Sequence, residues 1–107
     1  MNLHLFVDDE KALPESTDSD IWVLARTYNQ AIELLKGIVF KTVSLDHDLG
    51  EEKTGYDIAC WLEERQHENK PIPTHIYAHS ENPAGRINIE RAIQSINRRR
   101  EASGENG

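Results

Sequence analysis

The chain gathers its ionisable residues at the ends of three apolar runs. Val7-Asp8-Asp9-Glu10 closes the first, Ser44-Leu45-Asp46-His47-Asp48-Leu49-Gly50 the second, and Ile76-Tyr77-Ala78-His79-Ser80 the third. Carboxylates that converge without basic partners repel one another, so either some take up a proton or a cation sits between them. Oxygen donors of this kind suit Mg²⁺ or Mn²⁺. Asp8, Asp9 and Asp46 form the expected metal set, with Asp48 as an outer member. Asp8-Asp9-Glu10 alone would read as a solvated acidic turn. Two such clusters on neighbouring strands favour a shared site.

His79 can give or take a proton near neutral pH, and with Asp46 it makes the expected catalytic pair. A buried histidine bonded to backbone is the competing reading. Ser80, Asn82 and Arg86 lead into a helix start, where free N–H groups and a guanidinium suit phosphate oxygens. Plain capping by Asn82, with Arg86 in solvent, is the simpler alternative. By strand alternation His47 turns away from its flanking Asp residues, into the core or to a helper position at the rim, with the core favoured. His4, His67 and His75 lack a partner pattern. Trp22 and Trp61 read as core packing, and Cys60 as a small buried residue rather than a nucleophile. Arg98-Arg99-Arg100 reads as a solvated helix end more readily than as an RNA contact.

These groups need a frame. Leu3 to Val7, Ile21 to Ala25, Thr42 to Leu45 and Thr74 to Ala78 are the expected strands. Residues 8–20, with Pro14 and a Ser/Thr/Asp cluster, have loop composition. Thr27 or Asn29 can cap a helix whose apolar face is Ala31, Leu34, Leu35 and Ile38, with Gly37 near its end. Thr54-Gly55-Tyr56-Asp57 has capping-box spacing, though loop 50–55 could instead form a rim over the site. The helix behind it turns Ile58, Trp61, Leu62 and Arg65 to one face. Asn82-Pro83 opens a last helix with Ile89, Ala92, Ile93 and Ile96 inward. Strands alternating with helices imply an α/β fold with a parallel sheet and right-handed crossovers. Ligands of such sheets bind beyond the carboxyl ends of the strands, where all three reactive clusters fall.

The 107 residues make one domain, 1–101, with a flexible tail at 102–107. The lone cysteine excludes an internal disulfide and fits a cytoplasmic protein. No apolar run is long enough for a membrane span, and the N-terminus has no secretory pattern. Net charge is −7: residues 1–85 hold 7 Lys and Arg against 16 Asp and Glu, while residues 86–107 hold 5 Arg against 3 Glu. Such an acidic body excludes broad cationic contact with duplex DNA. Oligomeric state is left open, with a homodimer through a helix face or an edge strand as one option.

Together, Val7-Asp8-Asp9-Glu10, Ser44 to Gly50, Thr54-Gly55-Tyr56-Asp57 and His79-Ser80-Glu81-Asn82-Pro83-Ala84-Gly85 resemble the cyclic-phosphate-processing receiver-like family, from about Leu3 to Ile96. The resemblance implies a receiver-like, flavodoxin-like parallel sheet flanked by helices. It also implies chemistry on a cyclic phosphate, in RNA repair or related nucleotide processing. By that resemblance Asp8 and Asp9 match the receiver's metal-binding acidic pair, and Asp46 matches its phospho-acceptor. His79 and Ser80 fall where receivers carry a hydroxyl residue. No fifth strand follows Ile96, so the fold is truncated to about four strands and lacks the lysine that usually contacts the phosphoryl group. His79 or Arg86 is the expected substitute.

The function expected is a metal-dependent phosphoesterase that opens the cyclic phosphate of a nucleotide, an RNA end or ADP-ribose. Attack comes from water or from Asp46 itself. A non-catalytic module binding a nucleotide or a protein is the alternative, and phospho-signalling through Asp46 a weaker third.

Overall fold

A computed structural model describes residues 1–102; the expected tail, apart from Ala102 at the end of a helix, lies outside the described residues. The elements run β1 (Asn2–Val7), β2 (Asp20–Ala25), α1 (Tyr28–Gly37), β3 (Thr42–Leu45), α2 (Gly55–His67), β4 (His75–Ala78) and α3 (Pro83–Ala102). The strands form one parallel sheet in the order β2-β1-β3-β4. This is a truncated receiver-like, flavodoxin-like α/β fold, with four strands among the described residues. No described helix is long and apolar enough to cross a membrane.

Alternation decides which residues hold the layers together. Leu5, Val7, Val43, Leu45 and Ile76 leave the sheet on one face. There they meet Ala31 and Leu35 of α1, Ile58, Ala59 and Leu62 of α2, and Ile89, Ala92 and Ile96 of α3. Nearly complete burial of each aliphatic side chain stabilises the fold by about 1.5–3 kcal/mol before entropy is counted. The helix starts are fixed locally. Thr27 Oγ1 accepts from the Gln30 N–H, and Thr54 with Asp57 completes a reciprocal capping box. Asn82 Oδ1 accepts from the Gly85 N–H at 3.1 Å, with Pro83 opening α3.

Some positions differ from the sequence-based expectation. Trp22 and Trp61 are half-buried; Trp61 packs against the core as expected, and Trp22 does not join it. Trp22 lies on edge strand β2 and stacks on His4 at 4.9 Å, and the Arg65 guanidinium lies over the Trp61 ring. The inward face of α2 also includes Ala59, with Trp61 packed at its margin and Arg65 half-buried outside the core. Cys60 is half-exposed, and its thiol bonds the Tyr56 hydroxyl, which raises that phenol's pKa. His4 does have a partner: Nε2 lies 2.8 Å from Asp20 Oδ1 on the neighbouring strand.

Candidate functional site

Hydrogen bonding of the sheet continues one residue past the strand ends and so fixes the reactive residues. The Asp8 N–H donates to the Ala25 carbonyl, the Asp46 N–H to Val7, and the His79 N–H to Leu45, at 2.9–3.1 Å. Asp8, Asp46 and His79 therefore stand side by side along one sheet edge. Gly50 adopts φ 69°, a backbone conformation that favours glycine. A Cβ there would lie 3.0 Å from Asp9 Oδ2, so the loop after β3 closes against the loop after β1.

Asp8 is the hub. It is 1% exposed. Its Oδ1 accepts the N–H groups of Glu10 and Lys11, both at 2.8 Å, and its Oδ2 lies 3.0 Å from His79 Nε2. Arg26 Nη1 donates to the carbonyls of Asp8 and Lys11 and pins the same turn. Burial pushes the Asp8 carboxyl up, but the Lys11 and Glu10 amides and the His79 ring outweigh it, and its pKa falls below the ordinary aspartate value. Asp46 shifts the other way. Burial first, and the charge of Asp8 second, raise its pKa, against a hydrogen bond from the Ser80 side chain.

One carboxylate oxygen from each of Asp8, Asp9 and Asp46 lies within 4.8 Å of the other two. These donors fit a hard divalent cation: all are carboxylate oxygens, and the like charge that raises Asp46 is what a cation would offset. Asp8 Oδ2 retains a lone pair beyond its bond to His79. Asp48 is not in this group. It is exposed, with His47 Nδ1 at 3.2 Å and Asn82 Nδ2 at 3.3 Å. It lines the cleft over the cluster with Glu10, Lys11, Ser80, Glu81 and Asn82.

Two expected contributors stand outside the cleft lining. Both nitrogens of His79 are taken, Nε2 by Asp8 and Nδ1 by Ser44 Oγ at 2.6 Å, and its ring stacks on Phe6 at 4.4 Å. An ionised Asp8 only accepts, so in the neutral ring Nε2 carries the proton and Nδ1 accepts from the Ser44 hydroxyl. Arg86 is exposed on the first turn of α3, and its N–H donates to the Asn82 carbonyl. Asn82 performs the capping role, donates its amide to Asp48, and also lines the cleft. Loop 50–55 does not line it; Glu51 instead accepts from the Tyr28 N–H at the start of α1.

Two contributors had escaped the sequence. Ser44 sits inside an apolar run, and its role depends on the β3–β4 register; its one signal is its parity with Asp46. Lys11 lies in a polar turn with no pattern, yet it is the cationic side chain of the cleft lining, with Nζ 3.4 Å from Glu81 Oε1.

His47 is half-buried and turned toward α3, where a Cβ on Gly85 would fall 2.3 Å from its ring. Gly55, the first residue of α2, is tighter still: a Cβ there would stand 1.9 Å from the Asp46 carbonyl oxygen. Gly55→Ala is expected to cost about 2–3 kcal/mol in urea unfolding and to weaken divalent-cation binding, because relief of the clash must move Asp46. Unchanged stability and cation affinity would contradict this packing.

The family model of the cyclic-phosphate processing receiver domain matches residues 3–95. No curated protein and no solved structure is matched.

Proposed function

We propose that this chain, which belongs to the cyclic-phosphate processing receiver domain family, is a metal-dependent phosphoesterase that opens a cyclic phosphate on a nucleotide, an RNA end or ADP-ribose. The observation that carries the reading is the meeting of Asp8, Asp9 and Asp46 in one cluster beneath a cleft that also holds Lys11 and Ser80. Mg²⁺ or Mn²⁺ held there would polarise a phosphoryl oxygen and acidify a water.

The residues of the chain divide the remaining work. Lys11 neutralises the non-bridging oxygens, the part that receivers give to a lysine after a fifth strand. Asn82 offers its side-chain amide N–H to the substrate, while Ser80, whose hydroxyl donates to Asp46, holds that carboxylate in place. His79 is a positioning residue: with both nitrogens engaged, it orients the Asp8 carboxylate as outer partners orient metal ligands. We place the protein in a reducing cytoplasm, acting on small or single-stranded substrates, because its acidic body repels duplex DNA.

The test is turnover of 2′,3′-cyclic nucleotides, ADP-ribose cyclic phosphate and cyclic oligonucleotides, with and without Mg²⁺ or Mn²⁺. Metal-dependent ring opening of at least one is expected. Retention of a ligand with no product from any would favour a binding module. Lys11→Ala is expected to lower kcat/KM about 100-fold without loss of stability, since Lys11 is exposed and its pairing with Glu81 is a surface contact. An unaltered rate would remove Lys11 from the site.

A further inference from the structure

The packing of all three helices on one face leaves the other without a helix among the described residues. Alternation and register place Phe6, Ser44, His75, Tyr77 and His79 on that second face. Four of its rings lie in two stacked pairs. His79 stacks on Phe6 with planes 5° apart, and His75 stacks on Tyr77 at 6.1 Å and 13°. The same register adds His4, Trp22 and, at the far edge of the sheet, the acidic Asp20 to this face, away from Tyr77. Tyr77 is 54% exposed, a large value for a tyrosine in a strand.

The face reaches the site through His79, which bonds Asp8 and lies two residues beyond Tyr77 on the same side of the strand. Two residues of strand span about 6–7 Å, comparable to a nucleoside. The carboxylate cleft, at about 170 Å³, is small beside the roughly 300–1,000 Å³ of ordinary ligand pockets. A phosphate and its ribose fill such a cleft, and the base must then lie outside it.

We propose that Tyr77, backed by His75, is the platform on which the base of a nucleoside cyclic phosphate stacks while its phosphate occupies the Asp8–Asp46 cleft. This rests on the phosphoesterase reading above and adds a base-binding subsite on the helix-free face. Aromatic stacking accepts any base, so the platform supplies affinity without strong base specificity.

The experiment compares wild type, Tyr77→Ala and Tyr77→Phe on 2′,3′-cyclic AMP and on glycerol 1,2-cyclic phosphate, which has no base. Tyr77→Ala is expected to raise KM for 2′,3′-cyclic AMP about tenfold, leaving kcat and the glycerol substrate unchanged, and Tyr77→Phe to behave as wild type. An unchanged KM, or an equal rise for both substrates, overturns the platform. So does a dimer in sedimentation that Tyr77→Ala dissolves. If wild type turns over neither compound, the phosphoesterase reading is decided by the wider substrate set above, and calorimetry of 2′,3′-cyclic AMP binding decides the platform. About tenfold weaker binding by Tyr77→Ala supports it; equal affinity, or none in wild type, overturns it.

Discussion

Asp46→Asn is expected to abolish metal-dependent turnover, by at least about 100-fold in kcat/KM, while raising the melting temperature of the metal-free protein. The two effects share one cause. Burial and the neighbouring Asp8 charge raise the Asp46 pKa above its ordinary value. The folded chain therefore holds the Asp46 proton more tightly than the unfolded chain does. Metal-free stability falls as pH rises from the ordinary aspartate value through the raised one, and it stays lower at neutral pH. Asparagine cannot ionise, so the variant should gain about 0.5–2 kcal/mol at pH 7 and lose that part of the pH dependence. Thermal melts at pH 4 and pH 7 in a chelator measure both. A variant less stable than wild type at pH 7 would show that Asp46 is a structural carboxylate.

Asp8→Ala should lose the same activity and move stability the other way. Its carboxylate accepts two amides and the His79 ring while 99% hidden from solvent. Removal strands the ring nitrogen and a turn that Arg26 also grips. A cost of about 3 kcal/mol follows, or roughly 10–20 °C in a domain of this size. The sign with pH is opposite to that of Asp46. With its pKa lowered in the fold, Asp8 contributes stability that is present above the ordinary aspartate value and lost as pH falls through the lowered one. The deficit of Asp8→Ala should therefore shrink in acid. A deficit that persists at pH 2–3 would point to lost packing instead of lost charge.

The features that were legible in the sequence are local. Apolar runs ending in carboxylates marked β1 and β3, three-residue spacings marked the Thr54 box and the Asn82 cap, and strand–helix alternation implied the parallel sheet. The features that were hidden depend on register and strand order, which no short window encodes. His4 meets Asp20 only because β1 and β2 pair with Asn2 opposite Asp20. Ser44 reaches His79 across 35 residues of chain, and that contact, with Asp8 on Nε2, leaves neither ring nitrogen free. Trp22 has a core-like side chain, but the order β2-β1-β3-β4 puts its strand at the edge. Lys11 had no pattern at all; the two bonds from its turn to Asp8 and Arg26 bring it to the cleft.

The central claim is that Asp8, Asp9 and Asp46 hold one divalent cation. It is tested most directly by calorimetric titration of Mn²⁺ into the metal-free protein at pH 7, in parallel with Asp46→Asn. The account predicts one saturable site per chain in wild type and no such site in the variant. Equal Mn²⁺ binding by both proteins, or none by wild type, would contradict it.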